Sequence, residues 1–175
     1  METKSVIETL HRENLSAKGI TLEMKPVIDT LNRIIEMELA GAILYTHYSF
    51  MVYGHDRMLI VKWLEGQAGE GLTHAKTAGE LVTQLGAHPS LGVAPLTDTY
   101  DHDIESILRE SLAHERSTLA HYTGLLELVA GKNVMLEEYA RQHIYLEMQH
   151  IGEVDKMLRR PGDTKSHEAV SQTYS

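Results

Sequence analysis

Helical periodicity runs through four long segments of this chain and leaves little room for another fold. Apolar side chains recur every three or four residues, the spacing of one helix face, and strand-type alternation is absent. The first segment runs from about Pro26 to Tyr53, with a stripe of Leu31, Ile34, Glu38, Ala42, Tyr45 and either Phe50 or Val52. The second, from about Arg57 to Leu85, carries Ile60, Leu64, Gln67, Gly71, His74, Ala78, Leu81 and Leu85. The third, from about Asp101 to Ala130, carries Ile104, Leu108, Leu112, Glu115, Leu119, Tyr122, Leu126 and Val129. The fourth, from about Val134 to Arg160, carries Met135, Tyr139, His143, Glu147, His150, Val154 and Met157. At 1.5 Å per residue each helix is ~40 Å long, and four such helices pack as a four-helix bundle.

The connections set the topology. Gly54-His55-Asp56 makes a tight turn between the first two helices, and Gly131-Lys132-Asn133 does the same for the last two. Gly131 suits the position after a helix end and Asn133 an N-cap. Between these hairpins, Gly86 to Thr99 form a long linker with two prolines. A long crossover between helices two and three is the ferritin-like arrangement of an antiparallel bundle. The bundle occupies residues 26–160. Residues 1–25 form an extension in which Val6, Leu10 and Leu15 space out as a short amphipathic helix. Residues 161–175 form a polar tail, and Pro161-Gly162 ends the fourth helix.

Composition narrows the chemistry. With no cysteine, disulfides, zinc fingers and cysteine nucleophiles are excluded. Any metal must bind through histidine and carboxylate, a donor set that suits iron, manganese or zinc. A net charge of −9 opposes a phosphate backbone and argues against nucleic-acid binding. No apolar run approaches the ~18 residues that span a membrane. The N-terminus lacks the pattern of a secretory signal, so the expected compartment is the cytoplasm.

Acidic and imidazole groups interrupt all four stripes near mid-helix. Glu38, Glu115 and Glu147 stand where leucine is expected, and the second stripe carries His74 with Glu70 four residues before it. Glu147 and His150 lie three apart, so both point to one face of their helix. A single glutamate of this kind can sit at a stripe edge and reach solvent. Two helices with one glutamate each, and two with a glutamate and a histidine, match the ligand count of di-iron carboxylate bundles.

These residues resemble those of the bacterioferritins and, more broadly, of ferritin-like di-iron carboxylate proteins. The resemblance spans about residues 26 to 158. Leu31 to Leu39 is similar to the start of the family's first helix, with Glu38 at a terminal-ligand position. Tyr45 matches a tyrosine beside the di-iron centre, which implies a redox or hydrogen-bonding role. Thr73-His74-Ala75 matches the second-helix ligand histidine, Leu108 to Glu115 the third helix, and Glu147-Met148-Gln149-His150 the fourth-helix pair. The implied metal ligands are Glu38, Glu70, His74, Glu115, Glu147 and His150. The implied activity is oxidation of Fe(II) by oxygen or peroxide, for iron storage or detoxification. A non-catalytic metal-binding bundle and a di-iron oxidase of an organic substrate are the alternatives, with a Dps-like DNA protector disfavoured by charge.

The chain departs from the family pattern in three places. Gly71 stands where a bridging glutamate is expected, and Glu70 is the nearest carboxylate. A π-bulge in the glycine-rich stretch 66–71 would bring Glu70 into line. Leu72 replaces the methionine that holds haem, which argues against haem at that position. The tail shows no fifth apolar helix, which favours a homodimer over a 24-subunit shell. Met51, Met58 and Met148 are read as core filling, and Trp63, Tyr48, Tyr53, Tyr122 and Tyr139 as core and interface residues. His143 is read as a further ligand, a hydrogen-bonding partner of one, or a core histidine. His114, beside Glu115, is read as facing the surface.

Overall fold

The computed structural model describes residues 22–96 and 99–166; the expected short helix through Val6, Leu10 and Leu15 lies outside them. The described residues form four α-helices and no strand: α1 (Met24–Met51), α2 (Arg57–Gln84), α3 (Ile104–Val129) and α4 (Val134–Leu158). Pro26 falls in the first turn of α1, where its missing N–H breaks no helical bond. Asp103 caps α3 by accepting from Ser106 N at 3.0 Å, and Asn133 caps α4 by accepting from Leu136 N at 3.1 Å. Each such cap contributes about 1 kcal/mol. The turns use left-handed glycines, Gly54 at φ 95° and Gly131 at φ 68°, a conformation costly to residues with a Cβ.

Packing fixes the helix directions. Leu31 and Ile34 near the start of α1 pack with Ala78 and Val82 near the end of α2 and with Tyr122 and Val129 near the end of α3. Tyr48 and Val52 at the other end of α1 pack with Leu64 of α2 and Ile107 of α3. Helix α1 is therefore antiparallel to both α2 and α3, and α2 runs parallel to α3. The connection from Leu85 to Asp103 must travel the length of the bundle. Where described, it lies along α1, with Ala94 N donating to Glu36 O at 3.0 Å and Ser90 Oγ to Glu36 Oε1 at 2.6 Å.

One apolar layer lies at each end of the bundle, and the polar stripe residues are sandwiched between them. At the end of α1 it is Val52, 1% exposed, that turns inward, whereas Phe50 is 64% exposed. The helix stops at Met51, so Val52 leaves the helical spiral and closes over the core. Met58 and Met148 are exposed rather than core filling, because each falls on the outer face of its helix, and Tyr53 is exposed beyond the end of α1. None of the described helices is long and apolar enough to cross a membrane.

Candidate metal centre

Five of the six expected ligands meet inside the bundle, and the sixth reaches them from its edge. Glu38, His74, Glu115 and Glu147 are buried, and His150 is nearly so. Two triads stand out, Glu38–His74–Glu147 and Glu115–His150–Glu147, each with its donor atoms within 4.8 Å of one another. Glu147 belongs to both. His74 Nδ1 lies 3.3 Å from Glu38 Oε1 and 3.8 Å from Glu147 Oε1. His150 Nδ1 lies 3.7 Å from Glu115 Oε2. Between these groups is a cavity of about 20 Å³, room for an ion or a water but little more.

Electrostatics describe a site short of positive charge. Burial pushes the Glu147 carboxyl up, and the neighbouring Glu115 carboxylate, with Glu38 and Glu70 beyond it, pushes the same way. Burial also opposes ionisation of Glu115, but hydrogen bonds with His150, Glu147 and Tyr45 outweigh it and hold its carboxyl low. His150 is raised, first by its hydrogen bond to Glu115. The clustered carboxyls thus keep a proton on Glu147. Its Oε2 atom is buried with no hydrogen-bond partner. Leaving such an atom unpaired costs about 1–3 kcal/mol, a penalty that a bound cation removes.

Two tyrosines hold the outer carboxylates. Tyr45 of α1 donates to Glu115 Oε1 of α3. Tyr122 of α3 donates to Glu38 Oε1 of α1 at 2.6 Å. Burial raises both phenols well above their ordinary value, so each stays a neutral donor. Tyr122 is therefore part of the site and not merely core, and a signal for it exists. It follows Glu115 by seven residues, as Tyr45 follows Glu38.

His114 turns inward instead of facing the surface. It lines the cavity, with its ring edge-on to Tyr45 at a centroid separation of 6.3 Å. Space for it comes from Gly41 of α1, where a Cβ would lie 2.5 Å from His114 Nε2. Burial pushes its imidazole down, toward the neutral form. His143 is a core histidine. Its Nδ1 donates to Tyr139 O at 2.8 Å, and its ring stacks on Tyr122 and meets His74 edge-on.

Helix α2 passes the site without a π-bulge to bring Glu70 into line; it is α-helical from Arg57 to Gln84. At Gly71 it comes so close to α1 that a Cβ would lie 3.1 Å from Glu38 O. Glu70 stays at the rim, its side chain 38% exposed, with Oε2 3.4 Å from His150 Nε2 and Oε1 4.0 Å from His74 Nε2. Leu72, at the haem-methionine position, is exposed.

The donor set of carboxylate oxygen and imidazole nitrogen in the two triads and the orphaned Glu147 oxygen fit divalent cations. Comparison with known proteins agrees on the architecture. The ferritin-like domain matches residues 28–161. Among curated proteins, none matches this sequence. A solved ferritin-like, diiron-carboxylate protein from Bacillus anthracis is 23% identical with a TM-score of 0.74, over 80% of this chain and 100% of that one. The dodecameric thioferritin of Bacteroides fragilis, a bacterioferritin-related protein, is 20% identical with a TM-score of 0.71, over 87% and 90% of the two chains. A bacterioferritin of Desulfovibrio desulfuricans with a diiron site is 19% identical with a TM-score of 0.69, over 75% and 77%. With most of its length matched to the family, this chain belongs to the ferritin-like proteins.

Proposed function

We propose that this protein binds two iron ions in the mid-bundle cavity and oxidises Fe(II) with oxygen or peroxide. The observation that carries the reading is Glu147, a buried carboxylate shared by two ligand triads and left with an unpartnered oxygen. One metal would sit among Glu38, His74 and Glu147, the other among Glu115, His150 and Glu147. A bound metal pair supplies the electrons and the Lewis acidity. The protein supplies hard oxygen donors, which favour Fe(III) over Fe(II), and an enclosure that limits water. Tyr45 and Tyr122 hold the outer carboxylates in place, and Glu147 gives up its proton when metal arrives.

Cavity size favours iron itself as the substrate. A space of about 20 Å³ holds an ion or a water, far below the several hundred Å³ that an organic substrate needs. Iron detoxification or storage follows as the role. Exposed Ile43 and Phe50 of α1 and Leu72 of α2 support self-association, for which the proposed unit is a homodimer. The described part of the tail, to Ser166, adds no fifth helix.

Anaerobic Fe(II) titration followed by oxygen addition tests the proposal. Two irons per chain and oxygen consumption on mixing are expected. Fewer than two irons with no oxygen uptake would leave a non-catalytic metal-binding bundle. Light scattering tests the dimer, which a mass near that of a cage would overturn.

A further inference from the structure

The two ligand histidines expose the same pair of ring nitrogens to the same surroundings. Both turn Nδ1 into the cavity, toward Glu38 and Glu147 for His74 and toward Glu115 for His150. Both turn Nε2 outward, toward one residue, Glu70. A metal on Nδ1 obliges the neutral ring to carry its proton on Nε2, and that N–H needs an acceptor at this depth. Glu70 offers two oxygens, one facing each histidine. Helix geometry explains the placement. A residue three before His74 points into the cavity, as Glu147 does relative to His150. That position on α2 is Gly71, pressed against the Glu38 carbonyl. A residue four before His74 lies one turn away on the same face, where the Glu70 carboxylate comes within 4.0 Å of the far nitrogen of the ring.

We propose that Glu70 is a positioning residue and not a metal ligand: its carboxylate spans the Nε2–H groups of His74 and His150 and orients both imidazoles together. The inference rests on the di-metal reading above and assigns the rim of that site. It makes Glu147 the one carboxylate shared between the metals. It also makes the two half-sites mechanically dependent, because a single side chain sets the tilt of both rings. Partners of this kind tune metal affinity by about 10–100-fold.

Zinc loading of the 15N-labelled full-length protein tests this without any turnover. Long-range 15N–1H spectra report which ring nitrogen holds metal and which holds hydrogen. In the wild type, His74 and His150 are both expected with zinc on Nδ1 and hydrogen on Nε2. Glu70→Gln keeps one acceptor oxygen but replaces the other with a donor. It should still bind two zinc ions, with at least one site about tenfold weaker or more, and should shift both Nε2–H resonances. Glu70→Asp should recover part of the affinity. Zinc on Nε2 of either ring overturns the proposal. So does a fall from two zinc ions to one in Glu70→Gln, which would make Glu70 a ligand, and so does a variant unchanged in affinity and spectrum. A wild-type protein that holds fewer than two zinc ions overturns the di-metal reading and this one with it, and shows itself before any substitution is made.

Discussion

Tyr122 donates to Glu38 across the α1–α3 interface at 2.6 Å, and Tyr45 returns the same contact to Glu115. Each tyrosine lies seven residues after the glutamate of its own helix, two turns along, so antiparallel packing brings each phenol to the other helix's carboxylate. The two contacts are reciprocal across the α1–α3 interface. Helix α2 lacks the matching carboxylate, because Gly71 precedes His74 by three residues where Glu147 precedes His150.

Tyr122→Phe removes the donor and leaves a buried carboxylate short of a partner. The metal-free protein should lose about 1–3 kcal/mol in thermal unfolding. Cobalt titration should show one of two sites weakened about tenfold, on the scale of other orienting partners. Equal weakening of both sites would argue that the tyrosine supports the bundle and not one carboxylate.

The glycines of α2 should respond with opposite signs to alanine. At Gly69 a Cβ meets nothing within 4 Å, so Gly69→Ala gains helix propensity and should stabilise by about 0.5–1 kcal/mol. At Gly71 the Cβ would press on Glu38 O at 3.1 Å, so the same change should force α1 and α2 apart and destabilise by about 1 kcal/mol or more. Thermal melts of the two variants decide it. Equal gains would mean that Gly71 marks no tight approach.

Glu147 makes metal-free stability depend on pH. Its ordinary value of 4.5 is pushed up to about 11, mainly by burial and by Glu115. Because the folded-state value is raised, its contribution is full below pH 4.5 and is lost as pH rises toward the folded value. Glu147→Gln cannot ionise. Its stability relative to the wild type should therefore increase between pH 5 and pH 8, by about 4 kcal/mol, while its metal binding is lost. Denaturant melts at the two pH values check the first part and cobalt titration the second. A pH-independent difference would contradict the assignment of the proton to Glu147.

The bundle and the inward direction of the candidate ligands could be read from periodicity, because polar residues on an apolar stripe must face the core. Glu38, His74, Glu115, Glu147 and His150 were legible in this way, and so were the Asn133 cap and the Gly131 turn. His114 was not, because its neighbour Glu115 takes the inward direction on α3. Only the gap left by Gly41 on another helix lets the ring fold in. Val52 and Phe50 were ambiguous because one residue of helix length decides which turns inward. The place of Glu70 depends on how near α2 approaches α1 at Gly71, a tertiary distance with no local signature.

On the proposed reading, Glu147 joins two metal sites in one cavity. Anomalous diffraction from crystals soaked in Fe(II) under anaerobic conditions addresses it most directly. Two iron peaks ~3.5–4 Å apart are expected, both within bonding distance of Glu147, one beside His74 and the other beside His150. A single peak, or two peaks that do not share Glu147, would contradict it.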